Sequence, residues 1–401
     1  VKSPSEGGPD LPVNGVIEDG VVTIKVPVVE AVFEGEVDGA TMTGTWYQSG
    51  AEVPAVFERR DGPLVLARPQ EPTPPFPYEA TDVRFESGDI SLAGTLVMPE
   101  GEGPFPAVVL TSGSGSQDRD ETIVGHKPFL VLSDAFARAG IASLRFDDRG
   151  VGGSTGDPVG ATTADLAADT AAAVDYLAAD GRIGSIGIVG HSEGGIIGPM
   201  VANDSNEVDS VVLLAGPGLP GLDVLLRQTE DLMRVEGAPE ADIAWQVSWR
   251  REIMEVSASN APEDEAAKAI RSIVTSALEN PPAGVTESLD VSMADQFVTA
   301  FTDPWMRFFL AYDPAPALED LNIPVLALIG SLDVQVSAEA NIPALEAALA
   351  GNSNATVSEL EGLNHLFQSA ETGAVSEYAR IEETFSPHAI NVITGWILER
   401  N

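Results

Sequence analysis

The stretch "IVGHSEGGIIG", residues 188–198, sets Ser192 between glycines two residues before and two residues after it. It follows the apolar run Ile186–Val189 and leads into a small-residue helix. Gly190-His191-Ser192-Glu193-Gly194 fits Gly-x-Ser-x-Gly in the strand, tight turn, helix context that presents a serine nucleophile. The serine backbone is strained in such a turn, and a side chain at either glycine would strike the crossing strand and helix. Ser192 then stands at a helix N-terminus, where free amides and the helix dipole favour developing negative charge. A serine N-cap is the competing reading. The flanking strand, the second glycine Gly195 and the surrounding strand and helix alternation favour the nucleophile.

A serine hydroxyl is a poor nucleophile at neutral pH and needs a base, and the base needs an acid to orient it. The chain has four histidines: His126, His191, His365 and His388. His126 lies beyond a glycine-serine loop, His191 is the residue before the serine, and His388 opens the last helix. His365, in "LEGLNHLF", falls in the loop after the last expected strand, where a side chain reaches across the carboxyl ends of the strands. It is the expected base, and activity is expected to fall as it takes up a proton. The acid belongs at the end of the preceding strand, in the chain order serine, acid, histidine. "ALIGSLDVQVS" supplies Asp333 there, whereas Glu339, Glu346 and Glu359 fall on the following helix or strand.

Acyl transfer passes through an oxyanion, which two preorganised amides must hold. One is expected from the backbone of Glu193. The other is expected from the loop after "PAVVLTSG", where Ser112-Gly113-Ser114-Gly115-Ser116 leaves the main chain bare, with Ser114 preferred over Gly115.

The elements that must position these groups follow from the patterning. From Gly15 to Arg60 short alternating segments recur around Asp19-Gly20 and Asp38-Gly39 turns, which reads as a small all-β module over residues 1–62. Four or five strands leave a thin core and open edges, so the module is expected to lean on the rest of the chain or on a second copy of itself. Pro69, Pro72, Pro74, Pro75 and Pro77 make residues 63–78 a stiff connector. From 79 to 401 short apolar strands alternate with helices, the signature of a mainly parallel sheet covered on both faces. On the helix from Thr162, Leu166, Thr170, Val174 and Leu177 form the packing stripe, with Asp165, Asp169 and Asp175 turned elsewhere. The alternation stops over about 217–318, where helical segments read as an inserted cap.

Composition narrows the classes. The formal net charge is −41, with four lysines among 21 basic residues, which argues against nucleic acid or an anionic membrane as partner. An acidic surface of this kind is a solubility device suited to high salt. The absence of cysteine excludes thiol catalysis, disulfides and cysteine-ligated zinc, and no two histidines stand at metal-ligand spacing. No apolar run reaches the roughly 20 residues that span a bilayer. A chain opening at Val1 is expected where an export signal has been removed, which favours a periplasmic or secreted location.

The segments "LTSGSGSQDRDE", "GHKPFLVLSDAFARAGIASLRFDDRGVGGSTG", "IVGHSEGG", "PWMRFFLAYDPAPAL", "GSLDVQVS" and "LNHLFQ" together resemble the α/β-hydrolase superfamily of serine esterases. The resemblance is closest to two-domain bacterial carboxylesterases with a β-rich N-terminal module and a helical lid. It covers roughly residues 80–400, and the module around "MTGTWYQSGAEVPAVFERR" more faintly. The resemblance implies the triad Ser192, Asp333 and His365 and cofactor-free hydrolysis of small, short-acyl esters. The module is shorter than is usual in that family, as expected of a processed or truncated start. Asp118-Arg119-Asp120 and Asp147-Asp148-Arg149-Gly150 belong to the same resemblance and read as charge pairs locking loops near the strand ends. Trp245, Trp249, Trp305, Met306, Phe308 and Phe309 are candidates for an acyl pocket or for core. A peptidase or amidase, and a non-catalytic binding protein on the same fold, are the competing functions.

Overall fold

The computed structural model describes residues 14–18, 20–26, 31–48, 51–59, 67–259, 261–287 and 289–400. The first compact unit carries strands β1 (Asn14–Glu18), β2 (Val21–Val26), β3 (Ala31–Asp38), β4 (Thr41–Gln48) and β5 (Ala51–Glu58), paired antiparallel in chain order. Alternation buries Val22, Val26 and Phe33, and Phe33 meets Phe57 edge-on at 4.8 Å. Asp38 pairs with Thr41, so the β3–β4 turn is Gly39-Ala40, one residue later than expected. Asp19 lies outside the described residues, as do 60–66, which include the start of the proline-rich connector.

The second unit begins at Arg68. The connector prolines form no strand or helix, and Gln70 fixes this stretch by bonding the Thr384 and Phe385 backbone. Next come β6 (Tyr78–Ser87), β7 (Ile90–Pro99), β8 (Phe105–Thr111), α1 (Pro128–Arg138), β9 (Ala142–Phe146), α2 (Thr163–Ala178), β10 (Ile183–His191), α3 (Gly194–Asp204) and β11 (Ser210–Leu214). Six helices follow: α4 (Gly221–Val235), α5 (Glu240–Ala258), α6 (Glu263–Glu279), α7 (Ala294–Thr302), α8 (Pro304–Ala311) and α9 (Ala315–Glu319). The sheet resumes with β12 (Val325–Gly330), α10 (Ala338–Ala348) and β13 (Ala355–Leu360), and α11 (Pro387–Leu398) closes the chain.

These strands form one eight-stranded sheet in the order β13-β12-β11-β10-β8-β9-β7-β6. Strands β8 to β13 run parallel, and the β6–β7 hairpin adds antiparallel at the β9 edge. Successive residues divide between the two faces. Ala107, Val109, Ile186, Ile188, Val211 and Leu213 pack toward α2, α3 and α10, while Val108, Leu110, Val189, Val212 and Leu214 pack toward α1 and α11. Each fully buried Val, Leu or Ile among them contributes about 1.5–3 kcal/mol relative to exposure. The helices between β11 and β12 have their own core around Trp245, Trp249, Ile253, Ile270 and Val274.

Helix α2 starts on a Thr162–Asp165 capping box and buries Thr170, Val174 and Leu177 as its periodicity requires. Asp169 departs from the expectation: it is 1% exposed, drawn inward because its carboxylate takes both Nε and Nη2 of Arg149. Leu166 is only half-buried. No helix among the described residues is long and apolar enough to cross a membrane.

Candidate active site

Ser192 follows β10 directly, with φ +54°, the left-handed region that a serine enters only when its surroundings force it there. Its N–H donates to Leu214 O at 2.8 Å, which fixes the turn over the end of β11. The neighbouring glycines leave room for this. A Cβ at Gly190 would fall on Gly194 O, and one at Gly194 on Thr111 O.

Asp333 and His365 come from the loops after β12 and β13, which are stitched together by Leu332 N to Leu363 O at 2.9 Å and Gly362 N to Ser331 Oγ at 2.8 Å. Asp333 Oδ1 accepts from Gln335 N and Val336 N, both at 2.8 Å, so the carboxylate cannot swing. Its Oδ2 lies 2.8 Å from His365 Nδ1. A carboxylate there holds the proton on Nδ1 and leaves Nε2 to accept one. Both side chains are buried, that of Asp333 completely. Among the described residues no hydrogen bond joins Ser192 Oγ to His365; such bonds tighten when substrate is bound. The two loops nevertheless meet: the His191 and His365 rings lie 4.8 Å apart, and His191 Nε2 is 2.9 Å from His365 O.

The loop after β8 lies against the serine, because a Cβ on Gly113 would stand 3.1 Å from Ser192 Cβ. Gly113 N donates to Glu121 Oε1 at 2.7 Å, so this amide of the loop is already engaged. The Glu193 side chain is 1% exposed, its Oε1 accepting from Thr163 Oγ1 at 2.6 Å and Trp305 Nε1 at 2.7 Å. Burial pushes this carboxyl above the usual range, against the lowering effect of those two bonds. The Glu193 side chain thus fastens α8 through Trp305.

His126 and His388 belong elsewhere: His126 Nδ1 is 3.0 Å from Thr384 Oγ1, and His388 is exposed at the start of α11.

Residues 108–377 match the model of the alpha/beta hydrolase family. The chain belongs to that family. The hydrolase is also similar to Esterase EstD of Thermotoga maritima, 27% identical over 319 residues, 79% of this chain and 68% of that protein. Two solved structures resemble it more distantly. Esterase Pf2001 of Pyrococcus furiosus is 15% identical with a TM-score of 0.48, over 80% of this chain and 93% of that one. Est1E from Butyrivibrio proteoclasticus is 15% identical with a TM-score of 0.46, over 80% and 98%.

A cavity of about 420 Å³ in the hydrolase is lined by Ser114, Gly115, Asp148, Arg149, Leu166 and Trp305, among others. Of the aromatic and methionine candidates, Trp305 is the one on its wall, whereas Trp245, Trp249 and Met306 pack in the core of the inserted helices. Phe309 is buried, and Phe308 stacks on Tyr312 at 5.8 Å.

The charged motifs form the loop locks their residue types suggest. Arg119 forks onto Asp147, with Nη2 2.8 Å from Oδ2, Arg145 reaches Asp120, and Arg149 Nε lies 2.8 Å from Asp169 Oδ2. Asp148 grips both ends of the Ser112–Gln117 loop, accepting from Ser112 Oγ at 3.1 Å and Gln117 N at 2.8 Å. Burial pushes its carboxyl up to about 7.

Glu121 is the site residue that sequence reasoning passed over. Its signal was present in "QDRDE", but nothing local ties a loop carboxylate to a histidine 70 positions later.

Proposed function

We propose that this hydrolase is a serine carboxylesterase that cleaves short-acyl carboxylic esters of small molecules through Ser192, His365 and Asp333. The observation that carries the reading is the Asp333–His365 pair, 2.8 Å apart and fixed by the loops after β12 and β13, next to a serine held at positive φ. His365 Nε2 takes the proton as Ser192 Oγ attacks the ester carbonyl carbon. Charge passes to the carbonyl oxygen, held by the amides of Ser114 and Glu193. The tetrahedral intermediate collapses and the alkoxide leaves with the proton from His365. Water, deprotonated by the same nitrogen, then attacks the acyl-serine and releases the acid.

Several features support an ester of modest size. The similarity to an esterase favours an oxygen leaving group, and a cavity of about 420 Å³ beside the oxyanion loop suits a small ligand. Residues 217–318 act in this reading as a cap over the catalytic domain of 79–401, with Trp305 on the wall of the cavity beside the Ser114 loop; residues 1–62 form the separate module and 63–78 its linker.

The test is a rate screen over p-nitrophenyl esters of increasing acyl length, the matching anilides, and Ser192→Ala as control. Short esters are expected to turn over and anilides not, with loss of activity in the variant. Preference for anilides would replace the esterase reading by an amidase, and turnover that survives Ser192→Ala would remove the mechanism.

A further inference from the structure

His191 occupies the position before the nucleophile and is 5% exposed. Both ring nitrogens face oxygen atoms that are set up to accept. Nε2 lies 2.9 Å from the backbone carbonyl of His365, which has no proton to give, so Nε2 carries one. Nδ1 lies 2.9 Å from Glu121 Oε1, which already receives the Gly113 N–H at 2.7 Å. Pro128, Phe129, Leu214, Leu366 and Phe385 are among its apolar surroundings, and the Phe367 ring lies 6.5 Å away. An imidazole that donates from both nitrogens is a cation, and the 1%-exposed Glu121 carboxylate is its counter-ion.

We propose that His191 is held as a buried imidazolium ion-paired with Glu121, and that this pair is the positioning element that joins the oxyanion loop, the nucleophile turn and the base loop into one frame. Each link is a separate contact. Glu121 fixes Gly113, one residue before the amide of Ser114; the His191 backbone adjoins Ser192; and the ring holds the main chain of the residue that carries the base. Burial alone would lower the basicity of His191, but the charge and hydrogen bond of Glu121, the His365 carbonyl and the more distant Asp333 carboxylate together raise it above the ordinary histidine value. The remaining titratable neighbour is His365, whose ring is 4.8 Å away.

With four histidines in the chain, the protonation of each is separable by NMR of the full-length protein labelled with 15N-histidine. His191 is assigned by loss of its signals in His191→Asn, or by elimination through the single replacements of His126, His365 and His388 if that variant does not fold. At pH 8 the His191 ring is expected to show two protonated nitrogens. A single protonated nitrogen on His191 in the wild type overturns the proposal. The second arm, which rests on the esterase reading, uses Glu121→Gln, which keeps an acceptor for Gly113 but removes the counter-ion. The expected result is loss of the imidazolium signature and a fall in kcat of about 10- to 100-fold with little change in KM. A Glu121→Gln variant with wild-type kcat also overturns it. If no ester is turned over by the wild type, the spectrum alone decides.

Discussion

Replacing Asp333 by asparagine exchanges one oxygen for an NH₂ group, and the surroundings determine which way the amide must lie. In the wild type Oδ1 accepts from two backbone amides, Gln335 N and Val336 N, both at 2.8 Å. An NH₂ group placed there would face two donors, so the asparagine oxygen keeps that position and its NH₂ turns to His365 Nδ1. Nδ1 must then be the bare nitrogen, and the proton moves to Nε2. The imidazole keeps its place but can no longer take the proton of Ser192. Loss of the correct tautomer lowers kcat by about 10⁴-fold, which corresponds to about 5 kcal/mol of transition-state stabilisation. KM is expected to change little, because among the described residues Asp333 bonds only His365 and two backbone amides and is not on the cavity wall. The assay is steady-state hydrolysis of a short p-nitrophenyl ester, with near-UV circular dichroism to show an unchanged fold. Asp333→Ala removes the orienting group outright and is expected to lose activity of the same order. An Asp333→Asn enzyme within tenfold of the wild type would refute the assignment of Asp333 as the orienting acid.

Further consequences follow from the same geometry. Trp305→Phe removes one of the two donors to a buried carboxylate oxygen of Glu193, and a loss of about 1–3 kcal/mol in urea unfolding is expected; an unchanged midpoint would mean that the contact does not fasten α8. Burial holds the Asp148 carboxyl at about 7 against an ordinary 3.8, so the folded state favours the protonated form. The stability this provides is complete below about pH 4 and is lost as pH rises to about 7, a swing of at most about 4 kcal/mol. Comparing wild type with Asp148→Asn across pH 4 to 8 isolates it, and a pH-independent difference would contradict it. Gly194→Ala drives a methyl onto Thr111 O and is expected to cost about 3 kcal/mol or more, or to abolish soluble expression; a variant of normal stability would refute the close packing of the turn. With a net charge of −41, self-repulsion at low ionic strength is large, and Tm is expected to rise between low salt and molar sodium chloride. A flat or falling Tm would remove the salt-adaptation reading.

Much of the fold was legible because its signals are local. Ile186–Val189 followed by Gly-x-Ser-x-Gly fixes a strand, a turn and a helix within a dozen residues, and the alternation on either side fixes a parallel sheet. Asp333 and His365 were legible as loop residues because they fall shortly after β12 and β13, neighbouring parallel strands whose ends share one rim of the sheet. What escaped depends on contacts distant in sequence. Asp169 has the spacing of a solvent-facing helix residue, yet Arg149 draws it inside. Glu121 and His191 look like a loop carboxylate and a spacer within the motif until the ends of β8 and β10 bring them together. Trp305 sits among aromatic residues of similar helical spacing, and only the docking of α8 on Glu193 separates it from the helical core. The acceptors for Trp305, Arg149 and His191 are all more than 15 positions away in sequence, beyond the reach of periodicity or turn chemistry.

The most direct test is covalent labelling of the folded protein with a small organophosphonate, followed by peptide mass mapping. A serine activated by the imidazole at 365 should give one stoichiometric adduct, on Ser192, and His365→Ala should slow its formation by at least about 10³-fold. Absence of the adduct from folded wild-type protein, its appearance on another residue, or equal labelling of the two proteins would contradict the triad.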